Sequence, residues 1–140
     1  MMNEQEKAQH CRELAAGIRD AREHYVDLGH QIFDQGQRVD QSRFQMIEIK
    51  TELANLDRAQ APTTAIARIG SVAASAAAAL ALEATKARLR ARLANAKDVL
   101  RTEELKLERL HKTRTATDQQ LQRTLSQFDS NNCRIYAARP

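Results

Sequence analysis

Two pairs of acidic and histidine residues have a spacing that suits a metal site. Asp27 and His30, and likewise Glu108 and His111, lie three residues apart, which places the members of each pair one turn apart on a helix. Carboxylate-bridged di-iron bundles bind metal with pairs of this spacing. Asp27 and His30 lie opposite the apolar seam described below, however, and the expected helix pairing keeps them several turns from His111. We therefore predict no metal site and no cofactor.

The sequence contains no recognisable catalytic motif. It has no glycine-rich phosphate loop, no nucleophile elbow and no HExxH zinc motif. We predict that the chain is not an enzyme and takes no small-molecule substrate.

A basic segment offers a second kind of chemistry. The stretch TKARLRARLANAK contains five basic residues and no acidic one: Lys86, Arg88, Arg90, Arg92 and Lys97. Such a cluster can follow a phosphate backbone or an anionic membrane surface. Its members spread around a helix, and no aromatic residue lies among them to stack on a base. Nucleic acid or an anionic membrane surface is therefore the alternative partner, and a solvated face is the simpler interpretation.

The two cysteines suggest a reducing environment. Cys11 and Cys133 are far apart in sequence and match no CxxC or zinc spacing, so we expect free thiols. A disulfide at the open end of a hairpin is the alternative. The first ten residues lack a basic segment followed by an apolar one, as a secretory signal would have. We predict a cytoplasmic chain, or one packaged within a larger assembly, that is not secreted by a signal peptide.

The composition predicts the elements that carry these residues. The 140-residue chain has four Gly, two Pro and no Trp, and only 4% of its residues are aromatic. Because large aromatic side chains are scarce, burial depends on aliphatic residues and alanine, which favours long helices. We predict an all-α fold.

An apolar heptad pattern predicts the first helix, over about residues 4–60. A stripe that repeats every 3.5 residues needs a partner helix along its length. Only Gln35 and Ser42 interrupt this seam. Its members are Cys11, Leu14, Ile18, Ala21, Tyr25, Leu28, Ile32, Gln35, Val39, Ser42, Met46, Ile49, Leu53 and Leu56. Beside it lie further apolar residues, Val26, Phe33, Phe44 and Ile47, which we predict to bind a second copy of the chain or a helical protein.

Pro62 marks the predicted turn, over about residues 61–64, because proline removes a helical donor. A second helix follows over about 65–129, with a less continuous seam, and an irregular tail occupies 130–140. The second seam includes Leu82, Leu89, Leu93, Ala96, Leu100, Leu107, Leu110, Leu121 and Phe128, and polar residues interrupt it at Lys86, Glu103, Arg114, Thr117 and Thr124. In the tail, Ile135 and Tyr136 can dock on the helices or on a partner.

Opposite charges favour pairing of the two helices with each other. Residues 1–60 contain eight basic and eleven acidic residues, whereas residues 61–140 contain fourteen and seven. A turn at Pro62 would place the alanine-rich segment Gly70–Ala84 opposite residues 40–54, where small side chains leave room for bulky ones. The segment is too short to span a bilayer, although its small-residue spacing is shared with membrane helix pairs.

Residues 29–42 are expected to be the weakest part of the first helix. Gly29 and Gly36 each destabilise a helix interior by about 1 kcal/mol relative to alanine, and Gln35 and Ser42 interrupt the seam there. Close backbone contact can compensate. A hinge and a tolerated defect are the two interpretations.

These observations predict one helical domain over residues 1–140: a long antiparallel two-helix hairpin, coiled-coil-like, within an oligomeric helical bundle. The predicted function is that of a structural or adaptor protein that binds itself or a helical protein. The alternative is a protein that associates with nucleic acid or a membrane surface. The outline is similar to two-helix stalk and chaperone proteins of secretion machines and to helical virion components. That likeness is one of shape, and no motif identifies a family.

Overall fold

The computed structural model describes the backbone of residues 2–67 and 72–140, and the side chains of residues 2–58 and 76–140. Helix α1 covers Glu4–Ala67, helix α2 covers Val72–Ser130, and a short 3-10 helix, η1, covers Cys133–Ile135. The described residues contain no strand. The predicted all-α helical hairpin is confirmed.

The ends of the helices follow local sequence signals. The side chain of Asn3 accepts a hydrogen bond from the backbone N–H of Glu6 at 2.8 Å, and the Glu6 carboxylate accepts one from the N–H of Asn3 at 3.1 Å. This reciprocal cap satisfies two amides that have no partner within the helix. After α2, Asn132 adopts a left-handed conformation, with φ 53°, and leads into η1. The asparagines at both ends are signals that the sequence alone carries.

The contacts divide the chain into two compact units. The terminal unit comprises Met1–Gly36 and Lys106–Pro140, and the middle unit comprises Gln37–Leu105. In each unit a part of α1 packs against a part of α2. The assignment of the whole chain to one domain stays a prediction.

In the terminal unit, the seam residues form an apolar core. The fully buried side chains include Ile18, Phe128 and both cysteines, and Ala15 and Leu121 complete the buried cluster. Leu125, which lies one position off the predicted seam of α2, packs against it as well. The predicted heptad pattern therefore identified the buried face, because residues seven apart lie on the same side of a helix, and a continuous apolar stripe on that side packs against a partner helix.

In the middle unit, the helices run antiparallel around Val39, Ile49 and Leu89, which are buried. Arg43 of α1 contacts Glu104 of α2 at 3.4 Å. Further along α1, Asp57 contacts Lys86 at 2.8 Å. Residues later in α1 therefore contact residues earlier in α2, as in a hairpin.

These contacts correct the predicted alignment of the helices. Arg43 and Asp57 meet residues about twenty positions further along α2 than a turn at Pro62 would place opposite them. The boundaries of the elements explain most of the shift, since α1 continues through residues 61–64 to Ala67 and α2 begins at Val72 rather than 65. The predicted turn at 61–64 is wrong. The loss of one helical hydrogen bond at Pro62 does not end the helix, because the alanines around it favour helix.

The packing predicted for the alanine-rich segment is also wrong. Residues 45–52 of α1 share a groove with Arg92, Asn95, Ala96 and Val99 of α2, so they do not face residues 76–84, whose side chains the structure describes. Residues 76–81, the described part of this segment that precedes Leu82, are exposed, and Leu80 keeps 73% of its surface exposed. The side chains of residues 70–75 lie outside those that the structure describes.

The glycines of α1 have different surroundings. A Cβ atom added at Gly17 or Gly36 would have no described atom within 4 Å beyond the helix itself. At Gly29, in contrast, it would lie 3.1 Å from Nη2 of Arg114. The close approach expected for Gly29 therefore exists, but it involves a side chain of α2 rather than its backbone. Whether residues 29–42 form a hinge stays a prediction.

We expect Gly17→Ala to raise the free energy of unfolding by about 0.5 to 1 kcal/mol, because alanine is the better helix former and the site is open. Gly29→Ala should give no such gain, since the new methyl group displaces Arg114. Urea unfolding followed by circular dichroism measures both variants. Equal gains at the two positions would contradict this interpretation of Gly29.

Candidate interaction surfaces

The residues predicted to bind a protein lie outside the packed seam. In the terminal unit, Val26 and Phe33 expose 55% and 66% of their surface. In the middle unit, Phe44 and Ile47 expose 61% and 55%. Each pair lies on one face of α1, because its members are separated by seven or by three residues. Their role in binding stays a prediction.

The two apolar residues of the tail have different environments. Ile135 is 78% exposed, whereas Tyr136 packs against the core of the terminal unit. The Tyr136 hydroxyl donates a hydrogen bond to a carboxylate oxygen of Glu4. This hydrogen bond, more than desolvation, raises the pKa of Tyr136 above its usual value. Tyr136 therefore holds the tail on α1, and of the two residues only Ile135 is exposed to solvent.

Other exposed apolar side chains were not singled out in the sequence. They are Met2, Leu80, Val99 and Leu105. Val99 and Leu105 are apolar residues outside the seam of α2, so the search for apolar residues outside the seam that identified Phe33 on α1 would have found them on α2.

The basic residues of α2 do not form one surface. Arg88 and Arg92 lie one turn apart and border an open groove of about 560 Å³, where Leu56 and Leu89 supply the apolar lining. Glu52 borders the same groove. Arg90 and Lys97 are also exposed, but they lie on roughly the opposite side of α2, because each helical residue advances by about 100°.

Lys86 must be removed from the candidate anion-binding residues. Its side chain is 5% exposed, and Nζ lies 2.8 Å from Oδ1 of Asp57 and 3.9 Å from Oε1 of Glu83. Lys86 occupies a seam position, where its side chain is buried and its ammonium lies beside these two carboxylates. An ammonium held in this way is unavailable to a phosphate.

The Asp57–Lys86 pair makes the stability of the middle unit depend on pH. The hydrogen bond and charge of Lys86 lower the pKa of the Asp57 carboxyl below its usual value of 3.8. A lowered pKa in the folded state means that the pair stabilises the fold above about pH 3.8 and that this contribution is lost as pH falls through the folded-state pKa.

We expect Asp57→Asn to lower the free energy of unfolding at pH 7 and to have progressively less effect as the pH falls below about 3.8. Urea unfolding at several pH values measures the difference. In a Lys86→Met background, Asp57→Asn should have little effect at any pH. An effect that is unchanged in that background would show that Asp57 acts through another group.

A disulfide joins the cysteines, so the prediction of free thiols is wrong. Cys11 of α1 and Cys133 of η1 are bonded, with their Cα atoms 5.2 Å apart. Both residues are almost completely buried beside Phe128 and Ile18. The sequence contained no spacing signal for this bond, because its two ends are 122 residues apart and meet only in the folded chain.

Arg114 makes an unusual contact across the terminal unit. Its guanidinium lies over the ring of Tyr25, 4.1 Å from the ring centroid, and beside Gly29. The Nε atom is buried and has no hydrogen-bond partner among the described residues. A guanidinium stacks favourably on an aromatic face, which explains how a charged residue occupies a seam position.

The absence of a metal site stays a prediction. Within the described residues, no three His, Cys, Asp or Glu side chains come close enough together to hold a metal ion. Over the same residues, neither helix includes a stretch both long and apolar enough to cross a bilayer. No protein-family model, curated protein or solved structure matches the chain.

Proposed function

We propose that the chain is a non-enzymatic structural or adaptor protein that binds itself or another helical protein. The observation that carries the proposal is the exposure of Val26, Phe33, Phe44 and Ile47, each more than half accessible on α1. The seam of α1 is already occupied by α2, so these side chains are additional apolar surface. Covering them would contribute roughly 25 cal/mol for each Å² of apolar area, less the ordering costs of association.

Light scattering of the purified chain, together with cross-linking in its native host, tests this proposal. We expect an oligomer or a captured helical protein, and loss of that association when Val26 and Phe33, or Phe44 and Ile47, are changed to serine. Serine at the exposed Ala78 is a matched control, since it changes polarity on α2 without removing a large side chain. A monomer that captures no helical protein would overturn the proposal.

A second candidate is an anionic polymer or surface bound by α2. It is favoured by the exposure of Arg88, Arg90, Arg92 and Lys97 in a stretch without acidic residues. Binding to nucleic acid or to anionic vesicles should then fall steeply as salt is raised, because counterions are released on binding. The triple change of Arg88, Arg90 and Arg92 to Glu should abolish it. Absence of binding to both at low salt would exclude this candidate.

The cytoplasmic location stays a prediction, and the cysteines no longer support it. Disulfides form and persist mainly in oxidising compartments. Alkylation of the chain at the moment of cell lysis, followed by counting of the blocked thiols, distinguishes a reducing from an oxidising compartment. Two blocked thiols per chain would support a reducing compartment, and none would support an oxidising one.

A further inference from the structure

The exposed face of α1 in the terminal unit alternates large residues with glycine. Val26, Gly29, Phe33 and Gly36 are separated by three, four and three residues, so they form one stripe along nearly three turns of the helix. We call these four residues the knob stripe. The side chains of Val26 and Phe33 project from it, with 55% and 66% of their surface exposed.

The two glycines of the knob stripe have different surroundings. At Gly36, which is half-buried, a Cβ atom would have no described atom within 4 Å, so the space beside the helix is open there, and we call this open space the hollow. At Gly29 the space beside the helix is filled by the guanidinium of Arg114, which also lies over the ring of Tyr25. The surface at Gly29 is therefore formed by the planar, weakly hydrated guanidinium of Arg114.

The order of residues makes the knob stripe complementary to itself. If a second copy lies antiparallel with its two-fold axis at the level of residue 31, position 26 faces position 36 and position 29 faces position 33. Each large side chain then meets a glycine of the other copy. Val26 enters the hollow at Gly36, and the ring of Phe33 meets the guanidinium of Arg114 over Gly29, as a second aromatic contact for that group.

We propose that the knob stripe binds a second copy of this chain in an antiparallel, two-fold symmetric dimer. The inference rests on the proposed function and names its partner. Such an isologous contact uses the same patch twice and closes on itself, so it yields a dimer rather than a filament. A parallel arrangement would set Phe33 against Phe33, leave the open space at Gly36 unfilled and give Arg114 no second aromatic contact.

Sedimentation velocity of the full, disulfide-bonded chain over a range of concentrations tests the dimer. We expect a monomer–dimer equilibrium whose Kd rises by about tenfold or more in Phe33→Ser, as for a buried aromatic anchor. Gly36→Leu should raise the Kd similarly by filling the hollow. Because leucine is a good helix former, Gly36→Leu should not lower the stability of the monomer, which urea unfolding at low concentration checks.

A spin label introduced genetically at position 22 reports the orientation of the two copies. Because each residue rises 1.5 Å, the antiparallel pairing places the two labels about 30 Å apart, whereas a parallel pairing places them within about 15 Å. A pulsed-EPR distance near 30 Å supports the proposal, and a short distance overturns it.

The outcomes separate this inference from the proposed function. A wild-type chain that stays monomeric overturns the dimer, and capture of a helical protein would still support the proposed function. A dimer that survives Phe33→Ser but is abolished by Phe44→Ser would show that the knob stripe is not the dimer contact, and self-association would still be supported. A monomer that captures nothing overturns both.

Discussion

Replacing Cys11 and Cys133 together by alanine is expected to lower the free energy of unfolding by about 4 to 5 kcal/mol. The bond closes a loop of 122 residues, and a cross-link over that length removes much of the freedom of the unfolded chain. The bond also fixes η1 and the tail to the first turns of α1, where Phe128 and Ile18 have no exposed surface. For a chain of this size, the loss corresponds to a Tm about 10 to 15 °C lower.

Thermal and urea unfolding of the oxidised chain, the reduced chain and the double-alanine variant measure this effect. The reduced chain and the variant should agree closely, because both lack the cross-link while keeping a small apolar group at each site. Hydrogen exchange should show the earliest loss of protection around residues 131–137. A Tm that falls by less than about 3 °C would mean that packing alone holds the tail in place.

The second large effect is expected for Phe128→Ala, at about 3 to 5 kcal/mol. Phe128 is the largest side chain without exposed surface, and it contacts the cluster that includes Ile18 and Leu121. Removal of its ring leaves a cavity that the neighbouring disulfide prevents from collapsing fully, so both the transfer term and the cavity term apply.

Phe44→Ala is the matched control for this substitution. The same chemical change at a residue that is 61% exposed should alter stability by no more than about 0.5 kcal/mol. Urea unfolding of both variants at one low protein concentration, where association is minimal, makes the comparison. Similar losses at the two positions would show that Phe128 is less essential to the core than its burial indicates.

The identity of the buried face was determined by the sequence alone. The heptad pattern of α1 predicted that positions such as Ile18, Leu28, Val39 and Ile49 would face a partner, and all four are buried. The asparagine caps were equally readable. Such features depend on spacing and on local hydrogen bonds, which are fixed within a few residues of each other.

The alignment of the two helices and the disulfide between Cys11 and Cys133 were decided only by the tertiary structure. An apolar repeat specifies which side of a helix is covered but not which residue lies across from it, because a shift by whole heptads preserves the pattern. Pro62 was taken as the point of reversal, yet α1 continues past it, and this places Lys86 beside Asp57. Bonding of Cys11 to Cys133 depends on that same alignment, because only the assembled hairpin brings residues 122 positions apart within bonding distance.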